Sequence, residues 1–308
     1  MESDLTQEEF ALGVLYVAKR VLGDEARYIS KTRAIKLVCL AADEIGFGAI
    51  SWGWYRFGNY SFRVDNILTQ TFKENLLDTE MPKIELPEEL KKRLERFINS
   101  ARGPFVSTRD EFWRWIHYQT APAVYREFYR SHEKFLKAID TALHDDPSRY
   151  YESVGDAITQ YNKSLQHVPQ NVLDIFFTFT DLLEDLLLVC KRRGLDRSDE
   201  VRSILGKMVE LYTTKIYPSL TPFEQSLKGT DREHELRLFR DRRMNFCEEA
   251  SKELIRIKET MQRSGLMPSL EEIDLEIAER LDKASESEIQ KLDSTLRELS
   301  SINRISAF

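Results

Sequence analysis

Cysteine, glycine and proline are all scarce in this sequence, and each scarcity argues against a class of structure. The three cysteines, Cys39, Cys190 and Cys247, lie far apart without a CxxC spacing. This spacing gives no basis for a disulfide framework or a zinc site, and it is typical of a reducing compartment. With only 12 glycines and 9 prolines in 308 residues, the chain is expected to form long helices rather than many short strands.

Uninterrupted apolar segments of membrane-spanning length are also lacking. The longest apolar stretch, residues 172–190, contains Asp174, Asp181, Glu184 and Asp185, which a lipid-facing helix would not carry. We therefore interpret it as a buried core helix. The N-terminus, MESDLTQEEF, is acidic, whereas a secretory signal begins with basic residues and continues with apolar ones. These features predict a cytoplasmic protein without membrane contact.

Positive charge is in deficit, because 45 basic side chains face 52 acidic ones and leave a formal net charge of −7. This balance argues against a protein whose whole surface binds phosphate, although a local basic patch stays open. The sequence has no phosphate loop, dinucleotide fingerprint, nucleophile elbow or H-E-x-x-H motif. The histidines stand alone, without Cys or His at metal-ligand spacing: His117, His132, His144, His167 and His234. We expect no metal and no cofactor, and catalysis is not expected.

What the sequence does contain is apolar residues at intervals of three and four, which predict a mostly helical fold. Thr6 with Glu9 forms a capping box before a helix over residues 7–22, and Ser30 can cap a second helix that ends near Gly46. A third helix is predicted to begin after Ser61. Further helices are predicted over residues 88–100, 108–119, 121–143, 147–165, 170–193, 198–217, 231–264 and 269–303. Local signals mark some of their ends: capping boxes of Thr108 with Glu111 and of Ser269 with Glu272, and Gly194 after the basic end of the helix over residues 170–193.

Residues 81–87, MPKIELP, hold two prolines and interrupt the helical pattern. We predict a linker there, between a small domain of residues 1–80 and a helical bundle of residues 88–308. The last helix places apolar residues at alternating spacings of three and four, as in a short coiled coil: Ile289, Leu292, Leu296 and Leu299. This segment is expected either to close the bundle or to mediate self-association.

Aromatic residues and glycines concentrate in residues 52–68, WGWYRFGNYSFRVDNIL. Aromatic residues beside glycine predict a short strand or hairpin. Gly58 and Asn59 tolerate the positive φ of a tight turn, and Ser61 can cap the following helix. The order of two helices, a hairpin and a helix predicts a small winged-helix-like unit. The fold class is therefore mostly α with minor strand content.

The segments AIKLVCLAADEIG (34–46) and WYRFGNYSFRVDNIL (54–68) together resemble the YwgA-type domains and, more loosely, the Panacea or SocA-type antitoxin domains. The resemblance covers residues 6–80 and implies a winged-helix-like fold and an antitoxin-like regulatory role. It carries over to Tyr55, Phe57, Gly58, Tyr60 and Ser61, whereas Asn59 replaces the usual proline.

A recognition surface is the functional interpretation of the same hairpin. Its predicted binding residues are the aromatic and polar side chains that would contact a partner if they face outward: Trp52, Trp54, Arg56, Asn59, Tyr60 and Arg63. Arg56 and Arg63 could also contact the phosphates of duplex DNA. Against that hypothesis, residues 1–80 hold twelve acidic and nine basic side chains, the reverse of a typical DNA-reading domain.

Residues 105–135 interleave nine aromatic side chains with Arg109, Arg114, Arg126 and Arg130. Such a pattern can form the faces of two packed helices, or it can bind single-stranded nucleic acid or a partner protein. Arg126 and His132 also have the R-x5-H spacing of HEPN-type ribonucleases, which this spacing resembles. That resemblance implies a catalytic pair at an RNA backbone.

The carboxylates Asp174, Asp181 and Asp185 could in principle share a metal, but no E-x-x-H accompanies them. Taken together, the sequence predicts a regulatory or adaptor protein that acts by binding a protein partner. The alternatives are a winged-helix transcription regulator that binds DNA as a dimer, and a HEPN-like ribonuclease that uses Arg126 and His132.

Overall fold

The computed structural model describes residues 5–71, 84–195 and 198–284, and across these ranges the chain is mostly helical with one two-stranded antiparallel sheet. The strands are β1 (Gly53–Tyr55) and β2 (Gly58–Tyr60). The helices are α1 (Gln7–Leu22), α2 (Lys31–Ile45), α3 (Phe62–Thr71), α4 (Glu88–Val106), α5 (Arg109–Trp115), α6 (Ala123–His144), α7 (Tyr151–Lys163), α8 (Gln170–Arg193), α9 (Asp199–Leu211), α10 (Tyr217–Leu220), α11 (Arg232–Arg263) and α12 (270–284).

Local signals set several helix ends as the sequence predicts. Thr6 and Glu9 form the expected capping box at the start of α1, and the Ser30 side chain accepts from the Arg33 N–H at the start of α2. Gly46 and Gly194 follow α2 and α8 in the left-handed conformation, which glycine adopts without steric cost. These predictions are confirmed because each depends on residues within one helical turn.

The predicted hairpin is confirmed as β1 and β2, with Gly53 opposite Tyr60 and Tyr55 opposite Gly58. Gly58 has a φ of 87°, as predicted. The expectation of positive φ at Asn59 is wrong, since only glycines have positive φ among the residues described. Asn59 instead lies within β2 and pairs with Trp54, so the turn falls on Arg56 and Phe57.

Two predicted helices continue into wider π-helical turns. The helix predicted over residues 108–119 is α5 followed by a π-helical segment, Ile116–Thr120, and the one predicted over 198–217 is α9 followed by Tyr212–Ile216. Such segments recur at functional sites because they displace side chains from the ordinary helical register. α4 also runs to Val106 rather than ending at residue 100.

The buried apolar side chains form one large cluster that draws on α1 and α2 as well as on α4 to α9. A second, smaller cluster joins Tyr55 and Phe62 of the N-terminal part to Phe223, Leu227 and Phe239. The main chain adds to this contact, because Trp52 and Lys228 exchange two backbone hydrogen bonds. The hairpin is therefore held from both sides by residues distant in sequence.

Helix α12 packs against the end of α8 through ion pairs. Glu276 lies 2.9 Å from the Lys191 Nζ and 2.8 Å from an Arg192 guanidinium nitrogen, and Arg193 pairs with Glu272 at 2.7 Å. The predicted box of Ser269 and Glu272 is confirmed at its start. The predicted coiled-coil positions, residues 289–299, lie outside the described residues.

Candidate functional site: an arginine–aromatic cleft

Of the predicted binding residues in the hairpin, three are core side chains. Trp52 and Trp54 are 3% and 2% exposed, and Asn59 is fully buried. They do not face outward, because Trp54 packs edge-on against Tyr129 and the Asn59 amide donates to the Lys36 carbonyl. The aromatic density of this stretch thus reflects packing between the hairpin and the bundle.

The remaining three predicted residues are more accessible and lie in different surroundings. Tyr60 is partly buried and donates to the Asp65 carboxylate. Arg63 is exposed in the first turn of α3. Arg56 is partly exposed at the hairpin turn and lines a surface cleft together with side chains of α5, α6 and the first π-helical segment. The structure therefore assigns these residues to separate environments rather than to one patch.

This arginine–aromatic cleft has a volume of about 330 Å³. Three of its lining residues are arginines, namely Arg56, Arg109 and Arg114, and none of them forms an ion pair with a carboxylate in the described parts of the chain. An arginine is always charged at neutral pH, and its planar guanidinium donates several hydrogen bonds. The cleft therefore presents donors that lack an anionic partner.

Aromatic rings accompany these arginines at the cleft. The Arg56 guanidinium lies 4.9 Å from the centre of the Phe57 ring, and Phe57 is 41% exposed. The Phe57 and Trp113 rings lie 5.4 Å apart. Tyr118 lines the cleft as well, and its hydroxyl donates to the carboxylate of Glu133. This hydrogen bond and partial burial both raise the pKa of Tyr118 well above its ordinary value.

Two histidines complete the lining, and both are held in the neutral form. His117 stacks on Tyr129 with ring centres 4.3 Å apart, and His132 stacks on Tyr217 at 3.5 Å. Burial lowers the pKa of each to about 3, with a smaller contribution from the Lys36 charge at His117. The Nδ1 of His132 is hydrogen-bonded to the Tyr212 hydroxyl at 2.6 Å, whereas the buried Nε2 of His117 has no hydrogen-bond partner among the residues that the structure describes.

The two residues of the R-x5-H motif have different environments. His132 lines the cleft, but Arg126 does not. The Arg126 side chain instead donates to the Ala121 carbonyl at 2.8 Å and to the Gln119 carbonyl at 3.2 Å. It thereby supports the end of the first π-helical segment, and the structure does not bring it to the cleft beside His132.

The cleft walls are fixed by buried tyrosine hydroxyls. Tyr129 donates to the Tyr55 carbonyl at 2.7 Å, and Tyr217 donates to the Arg56 carbonyl at 2.5 Å. The first π-helical segment contributes His117 and Tyr118 to the lining. The second contains Tyr212, whose hydroxyl is hydrogen-bonded to His132. Because the hairpin turn is bonded to the bundle in this way, the cleft is preformed.

Residues 105–135 are recognisable from the sequence as an arginine-rich aromatic stretch, but their contact with the hairpin was not predicted. Trp113 and His117, which lie four residues apart, were not singled out as binding residues. The signal that could have found them is helical spacing, which places Trp113 one turn after Arg109 and His117 one turn after Arg114 in the predicted helix. Their contact with Arg56 and Phe57 depends on the tertiary fold, which places residues about sixty positions apart at one cleft.

The carboxylates of α8 do not meet at a common point. In the described part of the chain, no three His, Cys, Asp or Glu side chains cluster as metal ligands would. Asp174 accepts from Gln170, and burial raises the pKa of Asp181 and of Asp185. Across the same residues, no helix is long and apolar enough to cross a bilayer.

Comparison with known proteins identifies the family. The model of a domain of unknown function, DUF8098, matches residues 84–294, which is more than half of the chain. The chain therefore belongs to this family. No curated protein and no solved structure matches it. The matched region includes α4 to α12 as described and thus most of the cleft, whereas Arg56 and Phe57 lie before it.

Proposed function

We propose that this protein is a regulator or adaptor that works by binding a protein partner, and that the arginine–aromatic cleft is where the partner is held. The observation that supports this proposal most strongly is the group of three arginines, Arg56, Arg109 and Arg114, which line one cleft without carboxylate partners in the described residues. An acidic segment of a partner would supply those carboxylates.

The composition of the cleft supports the same proposal. Arginine, tryptophan and tyrosine are the residue types that contribute most to protein–protein binding energy. Phe57 and Trp113 add apolar area next to the charged groups. A preformed site also loses less conformational entropy on binding, and here the Tyr129 and Tyr217 hydroxyls already hold the hairpin turn.

A photo-crosslinking experiment tests the proposal. A photoreactive phenylalanine analogue replaces Phe57 at the cleft, and in a control protein it replaces Phe177, which is also exposed but lies on α8. We expect a specific protein adduct from position 57 that is absent from position 177. The adduct is then identified and its binding is reconstituted with purified proteins. Equal labelling from both positions, or none that survives purification, would contradict the proposal.

A different surface, at the start of α3, favours duplex DNA as an alternative ligand. Arg63 is exposed at the start of α3, and the exposed Arg242 lies 4.8 Å from the ring of Phe62, the neighbour of Arg63. Neither arginine forms an ion pair within the residues that the structure describes. DNA binding here would weaken steeply with added salt and would decrease in Arg63→Gln. If duplex DNA does not bind at low salt, this alternative fails.

A further inference from the structure

The arginine–aromatic cleft holds three kinds of group that one small ligand would use together. Within the described residues, they are arginines without ion-paired carboxylates, accessible aromatic rings, and neutral histidines with a ring nitrogen that makes no hydrogen bond. An acidic segment of a partner accounts for the arginines and can cover the rings, but it gives no specific role to the histidine nitrogens. We propose that the cleft binds a nucleoside monophosphate, with its phosphate on the arginines and its base against the aromatic rings. This inference rests on the proposed function in taking the cleft as the binding site, and it adds a small molecule that controls the site.

The arginines match a phosphate better than they match a single carboxylate. A phosphate monoester carries up to two negative charges near neutral pH and has three acceptor oxygens. Arginine forks bind such groups through paired hydrogen bonds. Arg56 approaches from the hairpin, and Arg109 and Arg114 approach from α5. Donors from two elements therefore line the cleft in which the phosphate would bind.

The rings account for the second part of the ligand. Phe57 and Trp113 lie 5.4 Å apart at the cleft, and Phe57 is accessible. Stacking of a base on an aromatic side chain is favourable for any base, because every base has a π face. A phosphorylated serine or threonine would leave these rings unused, whereas a nucleotide engages them.

The histidines favour a ligand that carries a nucleobase over one that carries an aromatic ring without polar edge groups. His117 Nε2 is buried without a hydrogen-bond partner, which is uncommon for a polar atom in a native structure. His132 Nε2 likewise makes no hydrogen bond among the described residues. The edge of a nucleobase carries both donors and acceptors, so it can pair with neutral imidazole nitrogens. The ring of a phosphotyrosine has no such edge.

Size and charge limit the ligand further. A cleft of about 330 Å³ lies at the small end of ligand sites, so it suits one nucleotide rather than a strand. Asp110 and Glu133 also line the cleft. Next to one nucleotide, these carboxylates can accept from the ribose hydroxyls, as acidic residues do in other nucleotide sites. Because the nucleotide and an acidic partner segment need the same arginines, the nucleotide would compete with the partner.

Isothermal titration calorimetry on the purified full chain tests the proposal. The probes are AMP, GMP, CMP and UMP, with the corresponding nucleosides and inorganic phosphate as references. We expect at least one monophosphate to bind with a Kd of about 1 mM or tighter. Its nucleoside and free phosphate are each expected to bind at least tenfold more weakly, since the nucleoside lacks the charge-assisted hydrogen bonds and free phosphate lacks the stacking.

The variants Arg114→Gln and Arg202→Gln form a matched pair, since Arg202 is exposed on α9 away from the cleft. We expect Arg114→Gln to weaken nucleotide binding about tenfold or more, and Arg202→Gln to leave it unchanged. Three results would each overturn the inference: no monophosphate binds, free phosphate binds as tightly as the nucleotide, or the two variants behave alike. The titration uses no partner protein, so its failure would leave the crosslinking result at Phe57 unaffected.

Discussion

At the scale of single residues, Gly58 shows how closely the hairpin is fitted to the bundle. It has a φ of 87°, and a Cβ added there would lie 2.1 Å from the Cγ2 of Ile116. Ile116 begins the π-helical segment that supplies His117 to the cleft. Glycine is therefore required at this position both by the backbone conformation and by the contact.

Gly58→Ala is expected to destabilise the protein by on the order of 2–4 kcal/mol, because strain in the left-handed region and overpacking add together. The matched control is Gly206→Ala on α9, where an added Cβ meets no atom within 4 Å. Because alanine favours a helix, that change should be neutral or slightly stabilising. Urea unfolding of the two variants measures the difference, and equal midpoints would argue against this packing.

Glu235 also has a structural role, and no local sequence pattern predicted it. Its side chain is buried and accepts from the Phe62 and Arg63 N–H groups at 2.7 Å and from the Ser61 hydroxyl at 3.0 Å. It thus caps the start of α3 from helix α11. Burial raises the pKa of this carboxyl to about 7 even though the hydrogen bonds oppose the rise.

The raised pKa predicts a pH dependence. Between the ordinary value of 4.5 and about 7, the folded protein holds a proton on Glu235 that the unfolded chain has lost. The contribution of Glu235 to the free energy of unfolding is therefore fully present below 4.5 and falls as the pH rises to about 7. Glu235→Gln should reduce this decline, whereas Glu233→Gln, at an exposed position on the same helix, should keep it. Urea unfolding from pH 4.5 to 7.5 measures both, and an unchanged decline in Glu235→Gln would contradict the assignment.

The residues that could be predicted from sequence are those whose partners lie close along the chain. The capping pairs of Thr6 with Glu9 and of Thr108 with Glu111 are three residues apart and form as expected. The contact between Ser61 and Glu235 spans 174 positions, so no local signal could reveal it. The cleft is a similar case. Arg56 was predicted from the sequence as a binding residue, but its proximity to residues of α5 depends on the tertiary fold.

At the scale of elements, the position of α12 depends on a small ion-pair network with α8. Glu276 is only 6% exposed and contacts Lys191, Arg192 and Arg280. Glu279 also pairs with Lys191 and Arg192, but Glu276 is the buried carboxylate of the network, so loss of its charge is costly. The boundaries of α8 were predictable from its apolar pattern and Gly194. The packing of α12 against α8 was not predictable, because charged residues at a helix end can equally well be solvated.

Glu276→Gln is expected to weaken the docking of α12 by on the order of 1–3 kcal/mol, because it weakens the hydrogen bonds to Lys191 and Arg192 while Glu279 stays paired with both. Amide hydrogen exchange should then accelerate within residues 270–284 and remain unchanged in the core of α8. Glu271→Gln is the control, since Glu271 is exposed on the same helix. Equal exchange in both variants would mean that the network does not hold the helix.

At the scale of the whole molecule, the N-terminal part and the bundle share buried surface. Phe223, Leu227 and Phe239 pack with Tyr55 and Phe62, although the family match begins only at residue 84. The mostly helical class was predictable from composition and spacing. This mutual packing was not, because an apolar residue does not specify which distant element covers it.

A fragment of residues 84–308 is expected to be less stable than the full chain by at least about 5 kcal/mol, since burial of each large apolar side chain contributes about 1.5–3 kcal/mol. Thermal and urea unfolding of the fragment and of the full chain measure this difference. A fragment with an unchanged midpoint would show that residues 84–308 are stable without the N-terminal part, in agreement with the predicted linker at residues 81–87.

The proposed function assigns partner binding to the arginine–aromatic cleft. It is tested by the affinity of the partner identified by crosslinking, measured with purified proteins for Arg114→Gln and for the matched Arg202→Gln. We expect Arg114→Gln to weaken binding about tenfold or more, which corresponds to a loss of about 1.4 kcal/mol, and Arg202→Gln to bind like the unmodified protein. Equal affinities for the two variants would contradict the proposed function.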